Sequence, residues 1–278
     1  MESGISFSGS ISAPSRLSLP GAVVLFSIVA TLSLALVVPG LGAKWTLAVM
    51  TLLLFFAIAF RAIYAIHLAL FGLVWVLLVG FVPFFQVWPF SLLAPLLVYG
   101  LVVIVTPGLR RSVGWLRVGR FGRDVRLLVF ATVVVSSMAL VAWTVLEKPD
   151  LQRHLALIPD MPRWVYPIAA IGFAFLNAAM EEIVFRGVMM EALDSALGKG
   201  YLSVGAQAVS FAALHYLAGF PNGVFGFLMT FVYGVMLGMI RRQARGLLDP
   251  WVAHVGADIT IFSILAFILV LNGGYPMA

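Results

Sequence analysis

Apolar side chains along this chain gather in long uninterrupted runs and do not alternate with polar ones. The runs fall at 21–38, 45–60, 62–84, 90–106, 127–146, 164–197, 202–218, 224–240 and 248–271. Most are close to the ~20 residues with which an α-helix crosses a hydrocarbon core of ~30 Å. The joints between the later runs, GKGY, GFPNG and RRQARG, carry the Gly and Pro punctuation of turns. This pattern predicts an all-α, polytopic transmembrane helix bundle of nine spans, or eight, because the second and third runs are joined tightly at Arg61. The 164–197 run contains no breaker and reads as one long helix or two in series. Residues 1–19, rich in Ser and Gly, read as a flexible N-terminal tail, 20–146 as N-terminal transmembrane helices, and 164–271 as a core that carries the chemistry.

Composition narrows the class. With 63% hydrophobic and 10% charged residues, too few polar side chains exist to cover a water-facing surface, which excludes a soluble globular domain, a disordered chain and a collagen-like repeat. The absence of cysteine excludes a disulfide framework, a thiolate nucleophile and Cys-based zinc or iron–sulfur sites. A net charge of +6 in so apolar a chain points to arginines facing anionic headgroups; membrane lipid, not nucleic acid, is the expected partner.

Those charges also orient the chain. Loop 107–126 holds Arg110, Arg111, Arg117, Arg120, Arg123 and Arg126. With nine spans, this loop, the Lys199 turn and the Arg241, Arg242, Arg245 turn fall on one side, joined by Arg16 and Arg61. Short loops rich in Lys and Arg are retained in the cytoplasm, so the N-terminus is expected inside and the C-terminus outside. Gly234 and Gly238 form a G-x-x-x-G, read as close helix packing within the bundle.

Ionisable groups within spans are costly and mark functional sites by default. Glu181 and Glu182 lie mid-helix, followed by Arg186; His215 lies within the next run, and His254 and Asp258 within the last. Only His67 stands at similar depth in the first 146 residues, and it reads as a packed histidine. Glu182 and Arg186 are four apart, so the arginine can hold that carboxylate ionised, while Glu181 points about 100° away, on the face of Asn177 and Phe185. Two acids in unlike environments can serve as a base and a stabiliser. Converged in a bundle core, such a set supplies hydrolysis: a carboxylate takes a proton from water, a histidine positions it, and donors stabilise the oxyanion. Because His254 sits one turn inside the last helix and Glu181 and His215 deeper, the expected cavity opens toward the Arg241 side, in the cytoplasmic half.

Glu181-Glu182-x-x-x-Arg186, then Phe211-x-x-x-His215, then His254-x-x-x-Asp258, in this order on successive spans, resembles the CPBP family of intramembrane proteases (Abi, CAAX protease and bacteriocin-processing), to which the Ras-converting CAAX endopeptidase belongs. The resemblance covers residues ~164–271 by those three motifs. It implies an integral, multi-pass endopeptidase, in a prokaryotic cell membrane or a eukaryotic endoplasmic reticulum, that hydrolyses a peptide bond of a membrane-associated, lipidated or hydrophobic substrate. It further implies that Glu181 activates water, that Glu182 and Arg186 are its neighbouring acid and paired base, that His215 shares the water, and that His254 and Asp258 stabilise the oxyanion. Asp258 stands where the eukaryotic enzyme has Asn, and an ionised carboxylate there would repel an oxyanion. A metal-free glutamate mechanism without cofactor is preferred, since no HExxH occurs; a zinc mechanism would use Glu181, His215 and His254. Other readings of the same residues are a catalytically inactive membrane scaffold or immunity protein, and a proton-coupled transporter, although no convincing internal repeat supports the latter.

Overall fold

A computed structural model describes residues 17–38 and 42–271. The expected tail up to Arg16 lies outside the described residues. In chain order the helices are α1 (Leu19–Val37), α2 (Ala43–Ala59), α3 (Ile63–Phe81), α4 (Phe90–Val105), α5 (Pro107–Ser112), α6 (Arg123–Glu147), α7 (Gln152–Leu155), α8 (Tyr166–Glu182), α9 (Met190–Leu197), α10 (Tyr201–Ala218), α11 (Gly223–Ala244) and α12 (Leu248–Leu271). Between α8 and α9 the chain stays helical and widens into a π-helical segment, Ile183–Met189, so 166–197 is one continuous rod. All nine expected segments are helical, and no strand occurs among the described residues.

Six of these, with the 163–197 rod counted as one, are long and apolar enough to cross a membrane: Leu19–Val37, Ile63–Phe81, Arg123–Glu147, Arg163–Leu197, Gly223–Ala244 and Leu248–Leu271. Ala43–Ala59 and Phe90–Val105 are apolar but shorter. Helix α10 turns Ser203, Gln207 and Ser210 inward and leaves Leu202 and Val209 outside. The protein is an integral, multi-pass membrane protein. Arg61, at φ 53°, lies between α2 and α3, which are two separate helices packed against each other.

Backbone contacts at the helix ends sort the loops onto two faces. On one, Leu17 N–H donates to Ser195 O at 3.0 Å, Arg120 N–H to Ala244 O at 2.8 Å and Leu247 N–H to Arg117 O at 2.8 Å. The start of α1, the arginine-rich loop, the end of α9 and the α11–α12 turn therefore share a face, as the charge pattern required. Across the bundle, His154 Nε2 lies 3.0 Å from Gly219 O, and Arg153 reaches Leu217 O. These contacts join the α6–α8 connection to the α10–α11 turn on the opposite face.

Helix α10 runs through the middle of the bundle, against α1, α9, the π-helical segment and α11. Its crossing with α11 is set by glycine. A Cβ on Gly234 would meet the Ala208 Cβ at 3.1 Å, and one on Gly238 the Val204 Cγ1 at 2.8 Å. The G-x-x-x-G therefore faces inward onto α10, in keeping with its reading as a close-packing device.

Candidate active site

Glu181 and Glu182 close helix α8 at the point where it widens, with 6% and 1% of their surfaces exposed. π-Helical turns insert an extra residue and recur at functional sites. A carboxylate buried without partners would be very costly, and Glu182 is not left so. Its Oε1 forms an ion pair with Arg186 Nη1 at 3.1 Å and lies 2.8 Å from His254 Nδ1. Arg186, itself 1% exposed, lies with its guanidinium 4.2 Å from the Phe211 ring centroid, a cation–π contact.

Glu181 is held more loosely. Its Oε1 accepts from Asn177 Nδ2 at 3.3 Å, and its Oε2 stands 3.4 Å from His254 Nε2. Asp258, one turn beyond His254 on α12, brings Oδ1 to 3.8 Å from the same Nε2, while its Oδ2 accepts from Asn177 Nδ2 at 3.2 Å. Arg186, Glu182, His254, Glu181 and Asp258 thus form one connected network across α8, the π-helical segment and α12. His254 is its hub, with a carboxylate facing each ring nitrogen.

His215 belongs to the same cluster but does not join it by a direct polar contact in the structure. Its Nδ1 lies 3.1 Å from the Phe211 carbonyl of its own helix. A carbonyl can only accept, so Nδ1 carries a proton and Nε2 is left as the acceptor in the neutral ring. The Phe211 ring mediates, with its centroid 4.8 Å from that of His215 and 5.9 Å from that of His254.

His215, His254 and Asp258 line a cavity of about 320 Å³ bounded by α6, α10, α11 and α12. Its other walls are mostly apolar. Val135 on α6 and Leu228 and Val232 on α11 line it and are also more than half exposed, so it opens sideways between these helices. Phe220 and Pro221 close its far end. This corrects the expected opening toward the Arg241 side. There, residues 117–120 are bonded to the α11–α12 turn, and a Cβ on Gly246 would lie 2.1 Å from Val118 O. That end is sealed by backbone packing, and the cavity extends toward the opposite face.

Glu181, His215 and His254, the residues of the alternative zinc reading, are not drawn together as a metal site in the structure. Among the described residues no group of three His, Asp or Glu side chains is arranged to hold a metal ion. His215 keeps Nε2 free, but His254 turns both of its ring nitrogens to carboxylates.

Two contributors had no role assigned from sequence. Asn177 was visible on the Glu181 face, and as a polar residue one turn before an acid within a span it carried a usable signal. Tyr233 had none. It comes from α11, lines the cavity and sets its ring edge-on to His254 at 5.6 Å, with its hydroxyl bonded to Ala253 O at 3.3 Å.

Residues 163–260 match the family model of type II CAAX prenyl endopeptidase Rce1-like proteins. The matched stretch runs from the start of the long rod to just past Asp258 and contains all six residues inferred from the motifs. No similar curated protein and no similar solved structure accompanies this match. The part of the chain that builds the network is therefore similar to type II CAAX prenyl endopeptidases, and it is set within a multi-pass membrane protein.

Proposed function

We propose that this protein is an intramembrane endopeptidase that hydrolyses a peptide bond of a lipidated or hydrophobic, membrane-associated peptide with water activated by Glu181. The observation that carries the reading is the position of His254, which lines an apolar cavity open to the lipid side and faces two buried glutamates. At about 320 Å³ the cavity falls at the lower end of the roughly 300–1,000 Å³ usual for ligand pockets, and its apolar walls suit a hydrocarbon chain or apolar side chains.

In this mechanism Glu181 accepts a proton from water through Oε2, the oxygen that Asn177 does not hold. His215 orients the water through Nε2. The water oxygen attacks the carbonyl carbon, and the negative charge moves to the carbonyl oxygen. His254 Nε2–H faces Glu181 and Asp258 at 3.4 and 3.8 Å, too long for strong hydrogen bonds, so it is held in place yet free to donate to that oxyanion. Collapse breaks the C–N bond, and the proton held by Glu181 passes to the leaving amine. Glu182 and Arg186 fix His254 from behind and take no proton in the cycle. Asp258 acts by holding His254 and does not face the oxyanion itself.

The test uses purified protein in liposomes with a quenched fluorogenic peptide carrying an S-prenylated cysteine near its C-terminus, alongside mass spectrometry of peptides in host membranes. Glu181→Gln and His215→Ala each lower the cleavage rate by roughly 100-fold or more, with the fold retained. Chelator leaves the wild-type rate unchanged. Full activity in His215→Ala overturns this mechanism, and loss on chelation with recovery on added zinc overturns its metal-free form. A wild type that cleaves no peptide in either assay favours the inactive scaffold.

A further inference from the structure

The turn between α3 and α4 lies outside the stretch that matches the protease family, yet one of its side chains reaches the network. Trp88 donates its indole N–H to Asn177 Oδ1 at 3.1 Å, and its ring centroid lies 5.1 Å from that of Phe173, one turn earlier on α8. An indole nitrogen can only donate. The carbonyl end of the Asn177 amide must therefore face Trp88, which turns the NH₂ end toward the acids.

There the two hydrogens of Nδ2 have one acceptor each: Glu181 Oε1 at 3.3 Å and Asp258 Oδ2 at 3.2 Å. The arrangement is symmetric about His254. The amide holds the outer oxygen of each acid, and the inner ones, Glu181 Oε2 and Asp258 Oδ1, both face His254 Nε2. A single neutral group thereby ties an acid on α8 to an acid on α12, supplies a donor to each, and decides which oxygen of each is presented to the ring.

We propose that Asn177, oriented by Trp88, is a positioning residue for the hydrolysis: it sets Glu181 and Asp258 on either side of His254 Nε2. The proposal rests on the reading of Glu181 as the group that activates water. It gives the turn before α4 a part in catalysis that the α8–α12 core does not supply for itself.

Steady-state cleavage of the prenylated fluorogenic peptide by the full chain, paired with thermal unfolding in the same detergent, tests it. Asn177→Ala lowers kcat by about 10- to 100-fold with KM and melting temperature unchanged, because carboxylates free to rotate lose the reactive geometry. Asn177→Asp, which keeps the shape but loses the donor, falls equally. Trp88→Phe keeps the ring against Phe173 and loses the N–H; it lowers kcat by a smaller factor and has no further effect in the Asn177→Ala background. An unchanged kcat in Asn177→Ala, a loss of rate that tracks a lower melting temperature, or additive effects of the two substitutions overturns the assignment while the proposed function stands. Absence of cleavage by the wild type, in contrast, removes the proposed function and this assignment with it.

Discussion

Arg186 is a full positive charge with 1% of its surface exposed, and its environment shows why it is tolerated: Glu182 neutralises it, the Phe211 ring covers it, and Gly234 O lies 3.5 Å from its Nη2. Removing one partner of a buried pair leaves the other uncompensated, at a cost of about 3–5 kcal/mol. Arg186→Met, with similar length and no charge, should therefore lower the thermal unfolding temperature sharply and reduce cleavage through misfolding. Glu181→Gln, in which Asn177 still finds an acceptor, should unfold close to wild type in the same assay. His154 responds to pH instead. It lies on the face away from the arginine-rich loop 107–126, in the connection before α8, and burial, helped by the neighbouring Arg153, pushes its pKa below the usual value near 6.5. The folded state then holds it neutral where the unfolded chain would bind a proton, so stability is complete above about pH 6.5 and falls as pH drops below it. The expected melting curve declines between pH 7.5 and 5.5, and His154→Gln, which can still donate to Gly219 O, flattens that decline.

Helices rather than single groups decide how tightly the site closes, and the α10–α11 crossing is the most constrained of them. Leucine at Gly238 would drive into Val204 and Gln207, and overpacking of this kind costs roughly 1–3 kcal/mol or more. Gly238→Leu should lower the unfolding temperature and the cleavage rate together, whereas Gly100→Ala on α4, with nothing within 4 Å of the added Cβ, should change neither. The existence and limits of these helices were legible in the sequence because membrane thickness fixes run length and Gly, Pro and charge mark the ends. The i, i+4 pairing of Glu182 with Arg186 was legible for the same kind of reason, being local geometry. The widening at Ile183–Met189 was not, since IVFRGVM is an ordinary helical sequence and nothing in its periodicity signals an extra residue per turn. The hub role of His254, the distance of His215 from the acids and the reach of Trp88 to Asn177 depend on how helices far apart in sequence tilt against one another. The direction of the cavity depends on the same packing: depth along the helices points to the Arg241 side, whereas backbone bonds between residues 117–120 and the α11–α12 turn seal that end.

At the scale of the whole molecule, the two faces differ in charge and in packing. The face that carries Arg110, Arg111, Arg117, Arg120 and Arg123 is stitched together by backbone bonds between the loop before α6 and the turn before α12, and Arg242 pairs there with Asp194 and Ser203. The opposite face carries the α7 connection and the Phe220–Pro221 end of the cavity. The retention of basic loops in the cytoplasm predicts an orientation in which the cavity runs from mid-membrane toward the outer half. Because the chain has no cysteine, single introduced thiols report this orientation without a background. Arg120→Cys and Asp160→Cys both fall at exposed positions, one on each face. In intact cells a membrane-impermeant maleimide should label Asp160→Cys and leave Arg120→Cys untouched until the membrane is opened. Labelling of Arg120→Cys alone would invert the protein and place the lipid-side cavity in the inner half. Labelling of both in intact cells would break the single orientation that the shared basic face requires.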